Sequence, residues 1–154
     1  MRKLLISLAL CLGAGGVGAA FTMQSVDTWY TMLKKPFFTP PNWVFTAVWS
    51  VLYILMGFSL AVVWQKRRRA GGHTLSFILF GIQLALNITW SIVFFGYCSL
   101  SGGLFIMVFL WLALVATIHE FLYQSQAAGL LLIPYLVWVS YASFINWSIW
   151  LLNK

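Results

Sequence analysis

Acidic residues are nearly absent from this sequence. Asp27 and Glu120 are its only carboxylates, and charged residues of both signs make up only 7% of the 154 residues. A soluble domain usually carries about 25% charged residues because its surface faces water. We therefore predict a chain embedded in lipid. A transporter coupled to protons or sodium ions usually needs a carboxylate or a broken helix at the bilayer midplane, so the lack of acids disfavours that class.

Clustered nucleophiles and metal ligands are missing as well. The sequence has two isolated cysteines, Cys11 and Cys98, and two isolated histidines, His73 and His119. Their spacing supports neither a disulfide framework nor a metal or haem-iron site. No Ser/His/Asp set and no Gly-rich phosphate loop is present, which disfavours a hydrolase, a kinase or a metalloenzyme. The basic residues do not alternate with aromatic ones, so we expect no nucleic-acid partner.

Long apolar stretches are abundant. A helix that spans a membrane needs about 20 residues at a rise of about 1.5 Å each. Five stretches are long enough: 4–23, 43–65, 75–97, 103–123 and 127–152. All connections except residues 24–42 are short, which favours antiparallel neighbours. We predict one all-α membrane domain over residues 1–154, a bundle of five transmembrane helices with a structured Pro-rich loop between helices 1 and 2.

The first stretch has two interpretations. Arg2 and Lys3 precede an apolar run that ends in small residues, as in a secretory signal peptide. The run continues through Phe21 and Met23, however, and is long enough to span the membrane. We favour a retained helix whose glycines and alanines pack closely against a neighbour rather than line a cavity.

Lysine and arginine predict the orientation. Five spans place Arg2, Lys3 and the basic cluster 66–69 on one side, and Lys34, Lys35 and Lys154 on the other. The positive-inside rule then puts the basic cluster in the cytoplasm and the Pro-rich loop outside. We expect a multi-pass protein of the cell membrane, most simply the bacterial inner membrane.

The Pro-rich loop carries signals of its own. Asp27 is suited to cap a short helix over residues 27–35 that Pro36 would end. Pro40 and Pro41 would then hold an extended turn into the second span. Trp29 and Tyr30 on the short helix could fold over the mouth of the bundle.

Polar and aromatic side chains share one face on each of three spans. These residues recur at helical spacing and comprise Asn42, Thr46, Trp49, Ser50, Tyr53 and Gly57 on the second span, Gln83, Asn87, Trp90, Ser91 and Phe94 on the third, and Tyr135, Trp138, Ala142, Ile145 and Asn146 on the fifth. If these faces converge, they form a largely apolar pocket suited to a flat ligand. The alternative is that the amides bond across helices and the tryptophans pack in the core.

The segment WYTMLKKPFFTPPNWVFTAVWSVLYILMG, residues 29–57, resembles the signature of the TspO/translocator protein family, also called the peripheral-type benzodiazepine receptor family. The similarity continues in LALNITWSIVFFG and LLIPYLVWVSYASFINWSIW and covers essentially the whole chain. It implies a five-helix membrane protein, often a homodimer, that binds porphyrins and isoquinoline or benzodiazepine drugs beneath the first long loop. It also implies roles in tetrapyrrole-dependent regulation, stress responses and light-dependent porphyrin breakdown.

The resemblance implies a set of ligand-binding positions: Tyr30, Pro40, Trp49, Tyr53, Asn87, Trp90, Trp138 and Ala142. Trp49 and Trp138 match the tryptophans implicated in porphyrin photochemistry. Animal members are tied to sterols through a C-terminal pattern with a basic residue, but Tyr141 has no Lys or Arg within the next five residues. We therefore do not predict sterol transport.

These inferences lead to an expected function. We predict a membrane sensor, scavenger or degrader that takes protoporphyrin IX or haem as a ligand, with no obligatory cofactor and no metal site. Lys34 and Lys35 would meet the ligand's carboxylates at the mouth. Any turnover would be tryptophan-dependent photo-oxidation rather than conventional enzyme catalysis. Two alternatives stay open: a transporter of porphyrins or similar amphiphiles, and a regulatory partner of other membrane proteins that docks through its first helix.

Overall fold

The computed structural model describes residues 1–66 and 74–154, and every described helix is an α-helix except for one π-helical turn. The helices are α1 (Arg2–Ser25), α2 (Trp29–Met32), α3 (Asn42–Gln65), α4 (Thr74–Ser91, continued by the π-helical turn Ile92–Gly96), α5 (Leu100–Gln124), α6 (Gln126–Leu131) and α7 (Ile133–Leu152). Of the predicted basic cluster, positions 67–69 lie outside the described residues, as does His73.

Five of these segments are long and apolar enough to cross a membrane: Arg2–Ser25, Asn42–Gln65, Thr74–Gly96, Leu100–Gln124 and Gln126–Leu152. The predicted bundle of five transmembrane helices is therefore confirmed, with ends that differ from the expected ones by at most three residues. Large apolar side chains such as Phe105 and Val137 remain exposed, as expected for a surface that faces lipid rather than water.

The helices form a ring. The first span packs against α3 and α4, α4 packs against α5, and α5 packs against α7. The short helix α6 closes the ring by packing against α3. The α3 and α7 backbones approach each other less closely than these pairs and meet through side chains such as Phe45 and Trp138. A space lies inside the bundle at the end where α2 lies.

Glycines allow α1 and α3 to approach closely. A Cβ at Gly57 would lie 2.7 Å from Leu8 Cδ2 and 3.0 Å from Leu8 Cα. A Cβ at Gly15 would lie 2.6 Å from the Tyr53 ring. All three distances are shorter than the usual contact between non-bonded carbon atoms, so glycine at these two positions permits the close packing. The expected close packing of the first span is thus confirmed.

Two local irregularities shape the bundle. The fifth span is broken at Leu132, where Pro134 opens α7; proline lacks the N–H that would continue the helix from α6. The third span ends in the π-helical turn, which shifts the helical register and buries the adjacent Phe94 and Phe95 together.

The short helix of the loop differs from the prediction. It covers only Trp29–Met32, Thr28 occupies its N-cap position, and no side chain caps it. Asp27 does not cap it because the chain after α1 stays in a helical turn, closed by the bond from the Thr28 N–H to the Ser25 carbonyl. The helix ends before Lys34, whose backbone N–H and C=O bond instead to the Asn153 side chain. Pro36 therefore does not end it.

Side chains tie this loop to α7. The Tyr141 hydroxyl donates to the Phe38 carbonyl at 2.7 Å, and the Phe38 ring stacks on Phe144 with centroids 5.3 Å apart. Together with the Asn153 bonds to Lys34, these contacts hold the chain between α2 and α3 over one end of the bundle.

Candidate functional site

A cavity of about 560 Å³ lies beneath α2, between α1, α3, α4 and α7. Its volume falls within the range of about 300–1,000 Å³ that is typical of small-molecule sites. Its wall is mostly aromatic and aliphatic, with a few neutral polar groups from Asn87, Ser91 and Asn146. The faces of the second, third and fifth spans that the sequence pattern singled out do converge on this space.

Stacked rings form one wall of the cavity. Trp49 stacks on Trp90 with centroids 6.2 Å apart and planes 28° apart, and Trp90 stacks on Phe94 at 5.4 Å and 23°. Tyr53 continues the series next to Trp49 at 5.7 Å. A wall of closely packed rings offers an apolar, polarisable surface that suits an aromatic ligand.

A hydrogen-bond chain forms the floor. The Tyr53 hydroxyl donates to Asn87 Oδ1, and Asn87 Nδ2 donates to the Tyr135 hydroxyl at 2.7 Å. All three side chains are buried and come from α3, α4 and α7. The chain therefore connects three spans through one amide, and it uses one of the two N–H donors and one of the two acceptor lone pairs of Asn87.

The first span lines the cavity, contrary to the expectation that it only packs. Gly15, Gly16, Gly18 and Ala19 face the space. Because they lack bulky side chains, the α1 backbone itself forms the wall, and the residues that allow close packing against α3 also leave room for a ligand. The stripe of small residues in the sequence predicts that something packs closely against α1. It does not distinguish a neighbouring helix from a ligand.

Helix α2 covers the cavity. Tyr30 is buried and makes edge contacts with Phe94 and a tilted contact with Phe95. Burial raises the pKa of Tyr30 to about 12, so its hydroxyl stays neutral at physiological pH. Lys35 places its ammonium 4.7 Å from the centre of the Tyr30 ring, but neither Lys34 nor Lys35 lines the cavity.

The cavity opens sideways. Several lining residues are exposed, and they lie on the facing sides of two helices: Leu12, Gly16, Ala19 and Met23 on α1, and Asn42, Trp43, Thr46 and Ser50 on α3. The two helices pack tightly near Gly57, and the exposed lining residues lie nearer to α2. The opening between them faces the surface that the spans present to lipid.

The structure brings together most of the predicted ligand-binding residues. Six of them line the cavity: Tyr30, Trp49, Tyr53, Asn87, Trp90 and Ala142. Pro40 and Trp138 do not line it. Trp138 packs edge-on against Phe45, which does line the cavity, and borders a separate groove of about 450 Å³ between α3 and α7. Ligand binding by all eight predicted residues stays a prediction.

Several lining residues were missed at the level of sequence, among them Phe45, Ile149, Phe95 and the small residues of α1. The small residues of α1 predict close packing only. Phe95 was missed because a regular helix would place it about 100° away from Phe94, whereas the π-helical turn buries both. Across residues 1–66 and 74–154, no group of three or more His, Cys, Asp or Glu side chains could hold a metal ion.

Comparison with known proteins matches this architecture to one family. The profile of the TspO/MBR family matches residues 7–151. The "Tryptophan-rich protein TspO" of Chlorobaculum tepidum is 43% identical and covers 99% of both chains. "Protein CrtK" of Rhodobacter capsulatus is 41% identical over 93% of this chain and 88% of its own. The human "Translocator protein" is 34% identical over 87% of this chain and 80% of its own.

Proposed function

This chain belongs to the TspO/MBR family of membrane proteins, and from that premise we propose that it binds tetrapyrroles, protoporphyrin IX or haem, in the cavity beneath α2. The observation that supports this function best is the stacked wall of Trp49, Trp90 and Phe94. A porphyrin is a flat, largely apolar macrocycle, and such a wall offers it an aromatic, apolar surface to pack against.

The sideways opening supports the same ligand class. Porphyrins partition into membranes, and a cavity that opens between α1 and α3 can take up such a molecule from the lipid. We propose that occupancy of the cavity is the signal, so that the protein acts as a sensor or regulator in the bacterial inner membrane. Isoquinoline and benzodiazepine drugs, which are also flat and aromatic, would occupy the same cavity.

Blocking the opening should weaken porphyrin binding. Ala19 faces the cavity and Ala20 does not, although both are exposed neighbours on α1. We expect Ala19→Trp to weaken binding of protoporphyrin IX by at least about tenfold, equivalent to about 1.4 kcal/mol, because the indole occupies the space that the ligand would enter. Quenching of tryptophan fluorescence during a titration in the dark measures the dissociation constant.

Ala20→Trp is the matched control, since it adds the same side chain one residue away and should bind like the wild type. Saturable binding that is equally strong in both variants would place the porphyrin elsewhere on the protein. Absence of saturable binding to the wild type would overturn the proposed function itself.

Light-dependent breakdown of the bound porphyrin is the second part of the proposal. Excited porphyrin passes energy to oxygen, and the reactive oxygen would attack the ligand or the nearest oxidisable ring. Trp49 lines the cavity, whereas Trp138 lies behind Phe45. We expect Trp49→Phe to slow the light-driven loss of porphyrin absorbance several-fold, and Trp138→Phe to slow it less.

Trp147→Phe is the control, because Trp147 is exposed and lies outside the cavity lining. The absorbance is followed at equal porphyrin occupancy in light and in the dark. Equal rates in all three variants and the wild type would remove the tryptophans from the chemistry and leave a binding protein without photochemical turnover.

Facilitated transport of porphyrins is the second candidate function. The sideways opening favours it, since a site that exchanges with lipid could pass a ligand between the leaflets. Porphyrin flux across sealed proteoliposomes separates the two functions: a sensor retains its ligand, and a transporter moves it. A homodimer is compatible with either function and is tested by the mass of the detergent-solubilised protein.

A further inference from the structure

Asn146 is a buried amide with no partner. It lies on α7, is 2% exposed and lines the cavity. Neither its Nδ2 nor its Oδ1 makes a hydrogen bond to any of the described residues. Burying an amide without hydrogen bonds is unfavourable, and buried polar side chains in native proteins almost always have partners. Gln83 is a buried amide without a partner as well, but it does not line the cavity, so of the two only Asn146 can take a partner that enters the cavity from outside.

The neighbours of Asn146 pack against its side chain but make no hydrogen bond to it. Gly103 of α5 packs against it so closely that a Cβ there would lie 3.2 Å from Asn146 Nδ2. The same Cβ would lie 2.7 Å from the Phe94 ring, so Gly103 also admits the last ring of the aromatic wall. The amide is thus placed beside this wall, where the edge of a stacked ligand would reach it.

A second donor lacks a partner on the same wall. Trp90 Nε1 is buried and makes no hydrogen bond, although the Trp90 ring stacks between Trp49 and Phe94. Asn87, by contrast, is already engaged with Tyr53 and Tyr135. The buried polar atoms of the lining that have no partner are therefore those of Asn146, which offers a donor and an acceptor side by side, and the single donor of Trp90.

The charge of the lining restricts what can pair with Asn146. Asp27 is the only charged residue among those described that line the cavity, and it is exposed near the mouth. No lysine or arginine among them could neutralise an anion. An ionised carboxylate at Asn146 would be buried without a counter-charge, which is strongly unfavourable. It would also leave Oδ1 facing a second acceptor.

We propose that Asn146 is the subsite that recognises a neutral ligand group with adjacent donor and acceptor, namely an amide, a lactam or a protonated carboxyl group. Such a group forms two parallel hydrogen bonds with the Asn146 side chain and satisfies both of its orphaned atoms. This assignment rests on the proposed ligand cavity and adds to it the chemistry that selects among flat ligands. Lys34 and Lys35, which lie outside the lining, do not take part.

A matched pair of small probes tests the subsite without relying on porphyrin. 2-Naphthamide presents a donor and an acceptor, and methyl 2-naphthoate has the same ring but no donor. We expect the wild type to bind the amide about fivefold more tightly, because the ester can accept from Asn146 Nδ2 but offers Oδ1 no donor, so the two probes differ by one net hydrogen bond. In Asn146→Leu the preference should reverse, because the amide then loses its water without gaining a partner.

Gln83→Leu is the control variant, because Gln83 is also a buried amide without a partner but does not line the cavity. It should keep the wild-type preference. An ester that binds the wild type as tightly as the amide overturns the assignment, and this comparison needs no folded variant. An amide preference that persists in Asn146→Leu overturns it as well.

A parallel titration with protoporphyrin IX separates this inference from the proposed function. Porphyrin binding without any preference between the two probes refutes the Asn146 subsite and retains the tetrapyrrole function. An Asn146-dependent probe preference without porphyrin binding supports the subsite and refutes the tetrapyrrole function. If neither probe nor the porphyrin binds, both proposals fail.

Discussion

Asn87→Leu is expected to destabilise the bundle by about 2–4 kcal/mol, because it removes the shared partner of two buried hydroxyls. The Tyr53 hydroxyl donates to Asn87, and Asn87 donates to the Tyr135 hydroxyl at 2.7 Å. Leucine has a similar volume but no polar atom, so both phenols would stay buried without a partner. Each unsatisfied buried group costs about 1–3 kcal/mol. The midpoint of thermal unfolding in detergent measures the loss.

Removing the Tyr53 and Tyr135 hydroxyls as well should restore the stability that Asn87→Leu loses. In the triple variant Tyr53→Phe/Asn87→Leu/Tyr135→Phe no polar atom of the floor remains unpaired, and replacing all partners by apolar groups of similar shape is nearly neutral. A triple variant as unstable as Asn87→Leu alone would show that packing, rather than hydrogen bonding, is what Asn87 contributes. An Asn87→Leu variant as stable as the wild type would show that the hydrogen-bond chain at the floor contributes little to the stability of the protein.

Gly57→Ala is expected to destabilise the protein by about 1–3 kcal/mol, although alanine is the better helix former by up to about 1 kcal/mol. The added methyl group would lie 3.0 Å from Leu8 Cα and 2.7 Å from Leu8 Cδ2. A side chain can rotate away, but the α1 backbone can move only as part of its helix. Helix α1 would therefore shift away from α3, and the cavity wall on α1 would shift with it.

Gly81→Ala is the matched control. Gly81 lies within α4, and a Cβ there meets nothing within 4 Å. This substitution should leave the unfolding temperature unchanged or raise it slightly, because only the helix propensity changes. If both variants unfold at the same temperature as the wild type, α1 and α3 do not approach as closely as the structure places them.

The hydrophobic pattern was sufficient to predict the spans. Helices in lipid must satisfy their own backbone hydrogen bonds, so an apolar stretch of about 20 residues has few alternatives. Periodicity was also sufficient to identify Trp49, Asn87 and Ala142 as residues of inward faces, because side chains three or four positions apart share one side of a helix. All three line the cavity.

The residues that sequence reasoning placed incorrectly share a physical cause. Asp27 fails to cap α2 because the chain after α1 remains in a turn, and the helix ends before Lys34 because Asn153, far along the chain, binds the Lys34 backbone. Phe95 lines the cavity because of a π-helical turn that no pattern in the sequence predicted. In each case the backbone leaves the regular helix that the sequence pattern assumes, and among these three only the contact at Lys34 joins segments that are distant in sequence.

The amino-acid sequence by itself determined the class, the five spans and the inward faces of the second, third and fifth spans. Composition and periodicity decide these features because they concern one helix and its solvent. Only the tertiary structure decided how the helices are rotated against one another. That rotation makes α1 a cavity wall and places Trp138 behind Phe45. It also engages Asn87 with two tyrosines and leaves Asn146 without a partner, because an amide's partners depend on what the neighbouring helices bring to it.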